Sequence, residues 1–176
     1  AQKGKRVLLI DADLRKPACH KILEYSWRGP GTAEVALGKA ALEDAVLPMK
    51  DSSLSLLLAH RGAASSTDLS GSDGMAALIA RARELYDFVV IDTPPMSAAP
   101  DSECIMELAD ATLLVVQQNV VTANAINSAC AALRSARAKL LGCVLNNAYG
   151  GSDGGHSYGY GYGYGRYGKY GKYGAY

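Results

Sequence analysis

Two apolar runs in this chain each end on an aspartate. Val7-Leu8-Leu9-Ile10 leads into Asp11-Ala12-Asp13-Leu14-Arg15, and Phe88-Val89-Val90-Ile91 leads into Asp92-Thr93-Pro94-Pro95. A carboxylate carried to the tip of an apolar strand is a hard oxygen donor. It suits Mg²⁺, which takes one or two carboxylates and completes its shell with phosphate and water oxygens. One such aspartate alone is more often a helix cap or a solvated loop residue. Two in one domain, one of them within D-x-D-x-R, point to a site for a cation held against nucleotide phosphates.

A frame must bring these tips together. Five apolar runs read as strands: Val7–Ile10, Leu54–Leu58, Phe88–Ile91, Thr112–Val116 and Leu140–Leu145. They run without polar alternation, the pattern of parallel strands covered on both faces. Helical stretches lie between them. Pro17–Tyr25 opens on a proline, Gly74–Tyr86 sets Leu78, Ala82 and Leu85 on one face, and Thr122–Arg137 repeats Ala and Leu at helical spacing. Strands alternating with helices predict an α/β fold with a doubly wound, mostly parallel sheet, whose ligands bind at the carboxyl ends of the strands. The uncharged stretch Ala111–Leu133 contains Gln117, Gln118, Asn119, Asn124 and Asn127, so it parses as a strand and a helix rather than a membrane span.

Composition excludes several classes. Of 176 residues, 49% are hydrophobic and 20% charged, too apolar for a wholly disordered or collagenous chain. The formal net charge of +1 gives no bias towards nucleic acid or anionic lipid. Cys19, Cys104, Cys130 and Cys143 form no C-x-x-C pair, and the expectation is four reduced, buried thiols of a cytoplasmic protein. His20, His60 and His156 are too scattered for a metal site. Tyr25 and Trp27 are expected to pack a loop against the sheet. Ala1–Arg6 reads as the last turn of a helix, with Gly4 at its end and basic residues at the negative pole of the dipole.

Tyrosine and glycine are unevenly spread. Eight of eleven tyrosines fall between Tyr158 and Tyr176, and eleven of nineteen glycines lie beyond Tyr149. Residues 150–176 cannot bury a core and are expected to be a disordered tail, attached to a domain over residues 1–149.

In these motifs and in this order the chain resembles the bacterial tyrosine kinases, P-loop-fold enzymes that accompany capsular and exopolysaccharide synthesis. Leu8–Arg15 fits their modified second Walker motif, and Val89–Pro95 fits their Walker B. Tyr158, Tyr160, Tyr162, Tyr164, Tyr167, Tyr170, Tyr173 and Tyr176 resemble their C-terminal tyrosine cluster. Glu34–Leu47 and the final strand with Val144-Leu145-Asn146 are also similar to the family. The resemblance implies ATP and Mg²⁺ as cofactors and the tail tyrosines as autophosphorylation sites. Asp92 would hold Mg²⁺ through water, and Asp13 would help to position it. Asp11 is the better candidate to accept the tyrosine proton, although sequence does not separate Asp11 from Asp13. Arg15 would neutralise phosphate or serve a subunit interface. Asn146 resembles the position that contacts adenine, and a turn-forming asparagine is its bland alternative.

The family also implies a membrane adaptor that acts as polysaccharide co-polymerase, a homo-oligomeric ring, and a cytoplasmic location at the inner face of the plasma membrane. The tail bears Arg166, Lys169 and Lys172 against Asp153. Eight phosphates would add roughly −12 to −16 charges, enough for repulsion to break up a ring. The family's Walker A, G-x-x-x-x-G-K-[ST], does not occur in these 176 residues. The expectation is therefore a P-loop-type sheet lacking its first strand and Walker A loop: a kinase fragment, inactive alone. A ParA/MinD-like ATPase and a non-catalytic scaffold with a self-associating tail are the alternatives.

Overall fold

The computed structural model describes residues 1–61, 69–97 and 101–148. In chain order its elements are β1 (Val7–Asp11), α1 (Cys19–Ile22), α2 (Thr32–Ala36), α3 (Leu42–Ala45), β2 (Leu47–Pro48), β3 (Leu54–Leu57), α4 (Asp73–Leu85), β4 (Phe88–Asp92), α5 (Asp101–Leu108), β5 (Thr112–Gln117), α6 (Ala123–Ser135) and β6 (Leu140–Asn146). All five expected strands are present. The Pro17–Tyr25 helix is reduced to α1, a single turn with no side-chain cap that gives way to left-handed backbone at Glu24. Ala1–Arg6 forms a turn in which the Gly4 N–H, in left-handed backbone, donates to the Ala1 carbonyl, and Ser53 Oγ donates to the same carbonyl and to that of Lys5.

The strands form two sheets. One has the order β2-β3-β1-β4, with β1 parallel to both β3 and β4 and only the two-residue β2 antiparallel. The other pairs β5 with β6 in parallel. Side chains alternate across β1 because successive Cβ atoms point to opposite faces of a strand. Leu8 and Ile10 enter a core with Leu57, Met75, Leu78, Ile79, Ala82 and Ile105, which joins the sheet to α4 and α5. Leu9 turns the other way, towards Leu54, Leu56, Leu58 and Cys19, where Tyr25 and Trp27 close over the sheet as expected. Trp27 stacks on His60 at 4.4 Å between ring centroids, and its indole N–H donates to the Pro30 carbonyl.

Cover on both faces holds for β1 and β3 but not beyond them. Phe88 and Val90 on β4 are 58% and 52% exposed, and Leu113, Val115, Val144 and Leu145 on β5 and β6 are also open. Among the described residues no strand pairs with the outer edge of β4 or of β5.

Close backbone approach fixes α4 against α2. A Cβ on Gly74 would stand 1.8 Å from the Ala36 carbonyl oxygen, so only glycine fits there. Ser72 caps the same helix by accepting from the Met75 N–H at 3.1 Å. Ala111–Leu133 does parse as a strand followed by a helix, and no helix among the described residues is long and apolar enough to cross a membrane.

Candidate active site

Parallel pairing of β1 and β4 sets Val7 beside Phe88, Ile10 beside Ile91 and Asp11 beside Asp92. Both apolar runs have the same length before their aspartate, so the two carboxylates leave the sheet side by side at its carboxyl end. The chain then folds back on itself. Asp11 Oδ1 accepts the Asp13 N–H and Oδ2 accepts the Cys19 N–H, each at 3.2 Å. That second bond brings the start of α1 over the tip of β1. Cys19 Sγ there donates to Asp92 Oδ2 at 3.5 Å, bridging the two aspartates. Thr32, fully buried at the start of α2, donates to the Asp11 carbonyl at 2.8 Å and holds the strand tip from below.

Charge is crowded here. Asp11 is fully buried, and desolvation is the main cause that lifts its carboxyl from 3.8 to about 6; the Cys19 N–H pulls the other way, and the Asp92 charge adds to the rise. Asp92 is also raised, first by desolvation, with the Cys19 thiol opposing and the Asp13 charge adding. Burial pushes the Cys19 thiol well up, reinforced by the Asp11 and Asp92 charges. A cation would relieve all three groups at once. Oxygen or sulfur atoms of Asp11, Cys19 and Asp92 lie within 4.8 Å of one another, a donor set and spacing that fit a divalent metal.

The structure thus brings together Asp11 and Asp92, with Asp13 beside them, nearly buried and accepting the Lys16 N–H. Arg15 is exposed on the loop that follows. Asn146 stands in the other sheet, at the end of β6 opposite Gln117, and its side chain accepts the N–H of Asn147 in a local turn. The eight tail tyrosines lie outside the described residues. Two contributors escaped the sequence reading. Thr32 carried no motif. Cys19 reads in sequence as one of four inert buried thiols, whereas it alone of the four is buried and it sits in the site; Cys104 and Cys130 are half-buried and Cys143 is exposed. The available signal was its place two residues after Pro17, where a helix start turns its N–H groups towards an acid.

No family model matches the chain. The tyrosine-protein kinase YwqD of Bacillus subtilis (strain 168) is 35% identical over 146 residues, 83% of this chain and 61% of YwqD. The solved kinase domain of VpsO is 31% identical, with a TM-score of 0.78 over 84% of this chain and 72% of that one. The chain belongs to the bacterial tyrosine kinases. As in other bacterial tyrosine kinases, the fold is of the P-loop NTPase type. MinD of Pyrococcus horikoshii OT3, solved with Mg-ADP, shares that fold alone, at 21% identity and a TM-score of 0.69 over 82% of this chain and 58% of MinD. A relative named for polysaccharide synthesis is the succinoglycan biosynthesis transport protein ExoP of Rhizobium meliloti (strain 1021), 32% identical over 170 residues, 90% of this chain but 21% of ExoP. This bacterial tyrosine kinase chain therefore spans less than two thirds of the length of the curated relatives named here.

Proposed function

We propose that this chain carries the aspartate side of an ATP-dependent protein-tyrosine kinase site, which phosphorylates the tail tyrosines of a neighbouring copy and thereby regulates polysaccharide synthesis. The observation that carries this reading is the register of Asp11 against Asp92 at the carboxyl ends of two parallel strands. Asp92, the more open of the pair, and Asp13 would hold Mg²⁺. When bound, Mg²⁺ and ATP supply charge neutralisation and the transferable phosphoryl group.

Asp11 supports a different role. A phenol with a pKa of about 10 stays protonated at neutral pH, so its transfer needs a proton acceptor. Asp11, raised to about 6, holds a proton more firmly than an ordinary carboxylate and is still ionised at pH 7. Its two backbone N–H donors fix the carboxylate in place. Arg15 would neutralise phosphate at the mouth of the site or meet a neighbouring subunit. Asn146 would face the adenine. The phosphate cradle would come from a G-x-x-x-x-G-K-[ST] segment outside these 176 residues, so ATP binds to the chain alone weakly or not at all. Tail tyrosines Tyr158 to Tyr176 are the acceptors, a membrane adaptor is the partner, and the inner face of the plasma membrane is the place of action.

The test uses the intact kinase with Mg-ATP and its adaptor, read by phosphotyrosine. Asp92→Asn is expected to reduce the signal to background, and deletion of residues 150–176 to remove most of it. Activity that survives Asp92→Asn would overturn the metal role. Phosphotyrosine unchanged by the deletion would overturn the tail as acceptor.

A further inference from the structure

A site for Mg²⁺ alone has no use for sulfur, a poor partner for a hard cation. Here the thiol of Cys19 lies between the two carboxylates, 6% exposed, donating to Asp92. Its position has the geometry of a ligand. In a tetrahedral Zn²⁺ site with a metal–sulfur bond of 2.3 Å and a metal–oxygen bond of about 2.1 Å, sulfur and oxygen stand about 3.6 Å apart. Cys19 Sγ and Asp92 Oδ2 stand 3.5 Å apart. The donor atoms of Asp11, Cys19 and Asp92 all fall within 4.8 Å of one another, so small side-chain rotations close the third corner. Asp92 is the exposed member of the three and gives a cation its way in from solvent.

We propose that Cys19 is a third ligand of the Asp11–Asp92 site and makes it prefer a thiophilic divalent cation, Zn²⁺ or Cd²⁺, to Mg²⁺. On binding, the metal replaces the thiol proton, which leaves to solvent, and the Cys19–Asp92 hydrogen bond becomes two bonds to one ion. Water fills the fourth position. Zn²⁺ then competes with Mg²⁺ for Asp92, occupies the proton acceptor Asp11, and acts as an inhibitor of phosphoryl transfer. The proposal rests on the reading of Asp92 as a metal carboxylate of the kinase and of Asp11 as its proton acceptor.

Cd²⁺ titration of the chain tests it, read by the ultraviolet thiolate-to-Cd²⁺ charge-transfer band. One equivalent is expected to develop the band in the native chain. Cys19→Ser and Cys19→Ala should each lose it at one equivalent, and Asp92→Asn should weaken Cd²⁺ binding at least about tenfold. Folding of each variant is checked by far-ultraviolet circular dichroism and the fluorescence of Trp27. Mn²⁺, a harder cation read by electron paramagnetic resonance, should bind the native and Cys19→Ser chains within about threefold of each other and lose affinity in Asp92→Asn.

A band of equal size in the Cys19 variants would assign it to Cys104, Cys130 or Cys143 and overturn the proposal. So would a Cys19 band indifferent to Asp92→Asn, since the thiol would then bind without the carboxylates. Either failure leaves the kinase reading to its own assay, because phosphotyrosine in the intact protein depends on Asp92 and not on the Cd²⁺ band.

Discussion

Replacing Asp11 with asparagine is expected to stabilise this protein at neutral pH and destabilise it in acid. Asp11 carries a buried charge, and its rise from 3.8 to about 6 corresponds to about 3 kcal/mol between its two protonation states. Because the folded-state value lies above the unfolded one, the fold favours the neutral form. Stability from this group is therefore fully present below about 3.8, lost as pH rises towards about 6, and absent above that. Asparagine carries no charge and escapes the loss. It also has one acceptor oxygen where the carboxylate has two, so either the Asp13 or the Cys19 N–H loses its partner, at a cost of about 1–2 kcal/mol. The variant should be more stable than the native chain by about 1–2 kcal/mol at pH 7.5, and less stable by a similar amount near pH 4. Urea unfolding at both pH values, followed by the fluorescence of Trp27, the only tryptophan, measures the difference. A variant less stable at pH 7.5, or a difference that does not change sign with pH, would refute the burial argument. In the intact kinase the same change should abolish transfer, so the site is held at the expense of stability.

Two further substitutions probe the scaffold around the site. Gly74→Ala should destabilise by about 1–3 kcal/mol, because the new methyl meets the Ala36 carbonyl and α4 must move away from α2; a raised thermal midpoint would show that the contact is not there. Thr32→Val should cost about 1–2 kcal/mol, leaving the Asp11 carbonyl without its donor at the tip of β1, and an unchanged urea midpoint would remove Thr32 from the supporting frame.

Local sequence carried a good deal of this architecture. Val7–Asp11 and Phe88–Asp92 were legible as strands because unbroken branched and aromatic runs suit a pleated, covered surface, and as site-bearing strands because each ended in acid. The short helices Thr32–Ala36 and Leu42–Ala45 were not, since a helix of one turn has no period to recognise. The two-residue β2 left no pattern either, and Pro17–Tyr25 lost most of its expected length where Glu24 enters left-handed backbone. Burial of the cysteines was overestimated. Side-chain chemistry puts a thiol inside on average, but each position depends on which strands and helices lie over it.

By itself the sequence determined which groups this protein has for chemistry: carboxylates at two strand tips, a guanidinium beside one of them, and phenols collected in a tail. Those follow from residue type and from spacing along the chain, which are local. Tertiary structure alone decided that Asp11 and Asp92 stand in the same register, that Cys19 bridges them, and that Thr32 holds the tip. Strand pairing joins residues 81 positions apart, and its hydrogen bonds run between backbone groups that are alike at every position. No local pattern encodes that choice; it emerges when the apolar faces of β1 and β4 are buried together against α4.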